Sequence, residues 1–373
     1  MAHAYTPGLK VTERTKVIKD RRLPLSGDVL VSAGQKVTGQ DIVARTALPG
    51  NVTTLNVAGL LGVPPEDISG MMLKKVNDQI EKGEVIAQSK GFFGLFKSAV
   101  HSPITGTIES ISEITGQMIL REPPQPVEVT AYIDGEVTEI FPKEGVLVET
   151  IASMIQGIFG IGGEIRGELL TVVDSPDQPL TAKEIGEKCQ GKIVIGGSLC
   201  EFSALEKAQS VGAKGIVAGG VEDESLKKFL GYDIGVAITG SEKTGVTLVV
   251  TEGFGKMRMA NHTFSLLKSL NGKIASMNGA TQIRAGVIRP EVIVPCADKK
   301  AEIKSSVREG GLEINTLVRV IRQPFFGLLG KVVSLPVQLQ VIETESKVRV
   351  LEVELENGQR ITLPRANVEI IES

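Results

Sequence analysis

Tryptophan is absent from these 373 residues, and aromatic side chains of all kinds make up only 4%. Large ring anchors are therefore scarce, and the cores must be built from aliphatic side chains. Cysteine is nearly as rare. Cys189, Cys200 and Cys296 are odd in number, widely spaced and form no CxxC pair. That pattern excludes a disulfide framework and a cysteine-based zinc site, and it suits a reducing compartment. The three histidines, His3, His101 and His262, show no HExxH or HxxxH spacing, so structural roles are expected for them. No apolar run approaches the roughly 18 residues of a spanning helix. The opening "MAHAYTPGLKVTERTK" lacks the apolar core of a signal peptide. A cytoplasmic protein without a spanning segment is expected. The formal net charge of −3 supplies no global attraction to nucleic acid.

Glycine is abundant, at 42 residues, with 42% apolar and 23% charged side chains. This is the composition of a globular chain with many tight turns and short strands. Its length calls for two to four domains. The expected class is a multi-domain, β-rich α+β protein. One phrase occurs twice near the start: "VSAGQKVTGQDIVART" at 31–46 and "KKVNDQIEKGEVIAQS" at 74–89. Each joins a β-type run, a polar turn, a glycine and a second apolar run. Between them "GVPPEDISGMMLKK" can hold one short helix.

The phrases "KVTGQDIVART", "QIEKGEVIAQS" and "SPITGTIESISEITGQMI" resemble the two halves of a biotinyl/lipoyl-like barrel-sandwich hybrid, placed at 20–130. In that family a hairpin-tip lysine carries the cofactor. Counting back from Pro103 reaches Leu95 instead, inside "GFFGLFK" at 91–97, with Lys90 and Lys97 on either side. The resemblance therefore implies a barrel used for docking, with no cofactor. Phe92, Phe93, Leu95 and Phe96 cannot easily all turn inward on so short a hairpin, and they are candidate contact residues. Similar strings recur as "IFGIGG" at 158–163 and "FFGLLGK" at 325–331.

Residues 131–180 read as a further β module that completes or packs on the barrel, ending in the linker "DSPDQPLTA". Residues 181–297 change to alternating strands and helices. "SALEKAQSVG" reads as a helix opened by Ser203 with Glu206 completing a capping box, "EDESLKKFLGY" as a second helix, and "NHTFSLLKSL" as a third closed by Asn271-Gly272. "DIGVAITG" reads as a strand. "GKIVIGGSLCEFSALEKAQSVGAKGIVAGGV" resembles the swivelling α/β modules typified by protease-associated domains. A charged connector at 298–313 leads to the tail. There Val318, Val320, Pro324, Phe325, Gly327, Gly330, Val332 and Leu335 resemble the KOW motif of SH3-like barrels, which implies such a barrel at 314–373. Asn357-Gly358 marks a hairpin within it.

Several groups can be weighed for chemistry. Cys200 in "GGSLC" precedes a helix, where a thiol can be acidified; the alternative is a buried cysteine at a strand end. "GGSLC", "VAGGVED" and "TEGFGKMRM" can present backbone N–H groups to an anion, or simply turn the chain. Arg284 and Arg289 in "NGATQIRAGVIRPEVIVP" can bind a carboxylate or phosphate, or lie exposed on a hairpin. In the tail, Arg319, Arg322 and Lys331 surround Phe325 and Phe326, a small basic and aromatic patch. Seven basic against seven acidic residues from 315 to 373 leave that tail neutral.

Three functions follow as expectations. The favoured one is a non-enzymatic scaffold or adaptor that binds a protein partner through its barrels and FFGL-type loops, with oligomerisation open. The second, implied by the KOW resemblance, is a factor bound to nucleic acid, the ribosome or the transcription machinery. The third rests on "LPLSGDVLVSAGQKV…SPITGTI", which resembles the barrel of Rnf/Nqr-type subunits and implies a peripheral subunit of a membrane electron-transport complex.

Overall fold

The computed structural model describes residues 9–89, 98–232, 240, 242–282, 288–296, 312–320, 325, 328–336, 338–341, 347–355 and 358–372. Strand accounts for 47% of the structure and helix for 14%, which makes the chain a β-rich α+β protein. A 16-stranded sheet runs through most of the molecule. Its central strand is Leu9–Arg22, whose alternating pattern buries Leu9, Val11 and Val17. That strand pairs antiparallel with Gly145–Gln156, from Val11 opposite Ile155 to Arg22 opposite Gly145. On its other side Leu9 lies parallel to Ile371 of the last strand, Val368–Glu372.

The α/β region forms one wing of this sheet. Glu164–Thr171, Ile193–Ile195, Gly215–Val221 and Thr247–Phe254 run parallel in that order. Ile193–Ile195 and Gly215–Val221 are buried at every residue, as strands covered on both faces must be. Helices Phe202–Val211, Asp223–Leu230 and Asn261–Ser269 pack Leu205, Leu226, Phe264 and Leu267 onto this core. The first helix starts at Phe202 with Glu201 at its N-cap, and Ser203 Oγ donates to the Glu201 carboxylate instead of capping. Cys200 causes the shift, because it bridges to Leu180 on one side and Val221 on the other and keeps the chain extended up to Glu201. The segment read as a linker, "DSPDQPLTA", is part of this core: Leu180 is fully buried and exchanges backbone bonds with Leu199 and Glu201. Of "DIGVAITG", 233–239 lie outside the described residues.

The two repeated phrases pair with different partners. Strands of the first, Lys36–Val37 and Ile42–Leu48, pair with Gly135–Phe141 and Gln125–Thr130. They share a core of Val17, Val37, Val43, Ile133, Val137, Val146 and Val148. The second phrase belongs to a module inserted between these partners. Its Gln79–Ile80 joins Gly106–Ile111, Gln117–Arg121 and Val52–Asn56 in a separate four-stranded sheet, and Val85–Gln88 pairs with Ala99–His101. Its own core comprises Val57, Leu61, Ile80, Ile86, Val100, Ile108, Met118 and Leu120. The short helix expected in "GVPPEDISGMMLKK" is the 3-10 helix Pro65–Met71, which opens on proline.

In the tail, Leu317–Val320, Leu329–Ser334, Val350–Leu355, Arg360–Pro364 and Val368–Glu372 form an antiparallel run around Val318, Val320, Val332, Leu351 and Val353. Gly358 turns the chain at φ +83°, as its place after Asn357 predicts.

Candidate functional site: the inserted module and its neck

The inserted module hangs from the rest of the chain by two crossing segments, 48–51 and 122–126. Asn51 C=O accepts from Glu122 N–H at 3.0 Å, and Asn51 Nδ2 donates to the Glu122 carboxylate at 2.9 Å. Arg121 anchors the same point, donating to Gly50 C=O at 3.1 Å and pairing with Glu109 at 2.8 Å. Position 50 requires glycine, because a Cβ there would lie 1.9 Å from the Glu122 carbonyl oxygen. Pro49, Pro123, Pro124 and Pro126 stiffen the crossing by fixing φ. An open cleft of about 530 Å³ lies against it, lined by Pro103, Ile104, Pro123, Pro124 and Pro126, with Lys82 and Glu122 among its charged walls. None of the module's strands pairs with a strand outside it among the described residues.

From the neck the strands run outward. Val52 is opposite Arg121 beside the crossing, and Asn56 is opposite Gln117 at the far end. The helix Val57–Leu61 follows there, capped by Asn56 Oδ1 accepting from Gly59 N–H at 2.8 Å. The turn 112–116 packs on it: Gly116 C=O accepts from Ala58 N–H at 3.1 Å, and Ser69 Oγ donates to Glu113. This far end exposes Ile114 at 91% and Leu60 at 57%. Leu73 and Val76, also in the module, are 57% and 43% exposed. The hairpin Val85–Gln88/Ala99–His101 also leads away from the neck, closed by Ser89 N–H on Ser98 C=O at 2.9 Å. The stretch "GFFGLFK" connects its two arms. Phe92, Phe93, Leu95 and Phe96 lie outside the described residues, as do Lys90 and Lys97.

No protein-family model matches the chain, and a search of curated proteins finds no similar sequence. The site therefore rests on geometry alone.

The other candidates separate. Cys200 is fully buried, and desolvation first, with Glu201 second, pushes its thiol up to about 12. Burial of the thiolate outweighs the helix start, which favours the reading of a buried cysteine at a strand end. Gly197 of "GGSLC" and both glycines of "VAGGVED" sit where other backbone presses on them, whereas Gly255 of "TEGFG" has open space beside it at φ +89°. A Cβ at Gly219 would meet Met257 C=O at 2.2 Å, and at Gly220 it would meet Gly255 C=O at 2.0 Å. Their amides are spent within the fold, Gly219 N–H on Gly197 C=O and Gly255 N–H on Val221 C=O. At Gly197, Gly219 and Gly220 an open anion loop is thus replaced by close backbone packing. "IFGIGG" is a third case: its strand Phe159–Ile161 is buried throughout.

Arg319 is 2% exposed, so the surface patch drawn around it loses its central cation. Its guanidinium reaches Thr251 C=O at 3.0 Å and the buried Glu252 carboxylate at 3.3 Å, and Glu252 also accepts from Ala260 N–H at 3.1 Å. It ties the tail to the α/β core. Lys331 is exposed, and Phe325 packs partly against the tail's core. Arg322 and Phe326 lie outside the described residues. Arg289 is half-buried beside the strand Glu291–Pro295, and Arg284 is outside the described residues, so a paired arginine site is not displayed. His101 Nδ1 lies 2.9 Å from Gly83 C=O, and His262 Nε2 lies 3.3 Å from Val11 C=O, both backbone-bonded positions.

Sequence reasoning missed a charged junction under the first strand. Arg21 donates to both Glu164 oxygens, at 2.6 and 2.7 Å, and Arg166 pairs with Asp134 at 2.6 Å. Lys19 pairs with Glu291. Tyr132, at φ +66°, lies beneath the Arg21 guanidinium, 5.4 Å from ring centre to carbon. Desolvation, then Glu291 and Glu164, raises its phenol well above the ordinary value. These partners come from four distant segments, so no local motif announces them.

Proposed function

We propose that the chain is a non-enzymatic scaffold and that the inserted module is the arm it presents to partner proteins. The observation that carries this reading is the combination of a narrow, proline-bearing neck with exposed Leu60 and Ile114 at the end remote from it. Apolar side chains exposed together on a projecting element favour a contact over solvent. The resemblance to barrel-sandwich modules supports the same reading, since these commonly dock. Burial of Arg319 weighs against the KOW-type nucleic-acid alternative, leaving Lys331 as the exposed cation of that patch among the described residues.

The test is affinity purification of the full chain from its native cell, with and without nuclease, beside the variant Leu60→Ser/Ile114→Ser. Both positions are exposed, so the variant is expected to keep the fold, which circular dichroism checks. A protein recovered with the wild type and lost with the variant supports the arm. Identical recoveries from both remove it. Material lost on nuclease treatment would transfer the argument to the nucleic-acid alternative.

A further inference from the structure

The free edges of the sheets are unequal. A strand edge offers unpaired N–H and C=O groups, and most proteins blunt such edges with charge, proline, shortness or cover. Most edges here follow that rule. Arg360–Pro364 carries an arginine at one end and a proline at the other. Gln125–Thr130 contains Pro126 and Glu128. Asp28–Val29, Lys36–Val37 and Gln79–Ile80 are only two residues long. Phe159–Ile161 has three residues, all buried. Val85–Gln88 is covered by the bridge of Met72 to Ala87. Among the described residues the longest edge without charge or proline is Val52–Asn56, "VTTLN", on the inserted module; Ala99–His101 shares that composition over only three residues. Val52–Asn56 has five residues.

The register shows which groups this strand offers. Glu122 N–H donates to Asn51 C=O, which makes 51 and 122 a hydrogen-bonded pair. The pairing continues without a bulge, so Thr53 with Leu120 and Leu55 with Met118 bond inward. The backbone groups of Val52, Thr54 and Asn56 therefore point away from the sheet. Their side chains are exposed, while Thr53 and Leu55 lean toward the module.

We infer that this edge pairs with the same edge of a second copy of the chain. Antiparallel pairing about a two-fold axis at Thr54 brings Thr54 opposite Thr54 and Val52 opposite Asn56. Thr54 exchanges both backbone bonds with its copy, and Asn56 N–H reaches the Val52 carbonyl across the axis on either side. A two-fold interface brings each residue near its own kind or its mirror position, so a charge on the axis would repel itself. This edge carries none, and the nearest charges on the neighbouring strands, Arg121 and Glu109, neutralise each other at 2.8 Å. Threonine facing threonine is a favourable cross-strand pair. Four strands from each copy then form one continuous sheet of eight. This surface differs from the Leu60/Ile114 end, and the pairing stands whether or not that end binds a partner.

The test is the mass of the purified full chain by light scattering or sedimentation, for the wild type, Thr54→Lys and Thr54→Asp. Position 54 is exposed and its N–H makes no bond inside the sheet, so both variants keep the fold; circular dichroism checks this. The expected result is a dimeric wild type, a monomer for each variant alone, and a dimer restored when the two variants are mixed. A monomeric wild type at the highest soluble concentration overturns the inference. So does a dimer whose mass neither variant changes, or two monomeric variants that fail to recombine.

Discussion

The inserted module and the α/β wing are built from similar short strands and abundant glycine, yet they relate to the chain in opposite ways. The α/β strands are hydrogen-bonded into the 16-stranded sheet, and ion pairs tie that wing to both neighbours, Arg21–Glu164 on one side and Arg319–Glu252 on the other. The inserted module has its own sheets and core and touches the rest at a crossing of two segments. The difference lies in where backbone groups are satisfied. One region shares its bonds widely and gains rigidity; the other closes on itself and gains freedom to be presented.

Arg319→Ala is expected to break the woven part most severely. Leaving the buried Glu252 without its cation costs about 3–5 kcal/mol, read as a lowered urea midpoint of the main transition. Ile108→Ala, in the inserted core, should cost a comparable or smaller amount, about 2–5 kcal/mol. Here the loss should be confined. Hydrogen exchange should accelerate at 52–121 and stay slow in Ile193–Ile195 and Gly215–Val221. Acceleration of both regions together would erase the distinction between them.

At the boundary, Gly50→Ala forces a Cβ onto the Glu122 carbonyl and should cost about 1–3 kcal/mol, with exchange rising first at 49–52 and 121–123. Alkali probes the shared core instead. Burial raises the Cys200 thiol to about 12 and raises the Tyr132 phenol, so folding favours their protonated forms. Stability should therefore hold below about pH 9, the thiol's ordinary range, and fall as pH rises toward 12. Cys200→Ala should flatten that decline in a pH series of melts. The smallest effect belongs to Arg258→Ala. The pair Arg258–Asp177 is exposed, and its loss should cost under about 1 kcal/mol and leave both regions unchanged.

The α/β strands were legible because burial on both faces writes continuous apolar runs, as in "IVI" and "GIVAGGV". The turn at Gly358 and the helix Asn261–Ser269 carried their own punctuation. Nesting was not legible. Two similar phrases invite pairing with each other, and only long-range register shows that the first pairs across the insertion. The capping box at Ser203 failed because a tertiary bridge at Cys200 decided where the helix could begin. Arg319 misled for a related reason. Val318 and Val320 face the tail's core, so alternation sends Arg319 to the opposite face, ordinarily solvent but here covered by Thr251 and Glu252. The glycines of "VAGGVED" carried no mark distinguishing a ligand loop from backbone pressed against backbone. The exposed end of the inserted module left only a faint trace, since a lone leucine or isoleucine in a turn is unremarkable in a string of letters.

The contact of Leu9 with Ile371 joins positions separated by 371 − 9 = 362 residues. During synthesis at roughly 5–20 residues per second, the two ends of that contact emerge on the order of 20–70 s apart. Gly145–Gln156 reaches the first strand early, but the other side of its Leu9 end stays vacant until Val368–Glu372 has left the ribosome. A nascent chain stalled before Val368 would keep that vacancy open to whatever strand arrives first. Closure of that edge thus waits on Val368–Glu372, and the first strand is among the last to have both its neighbours in place.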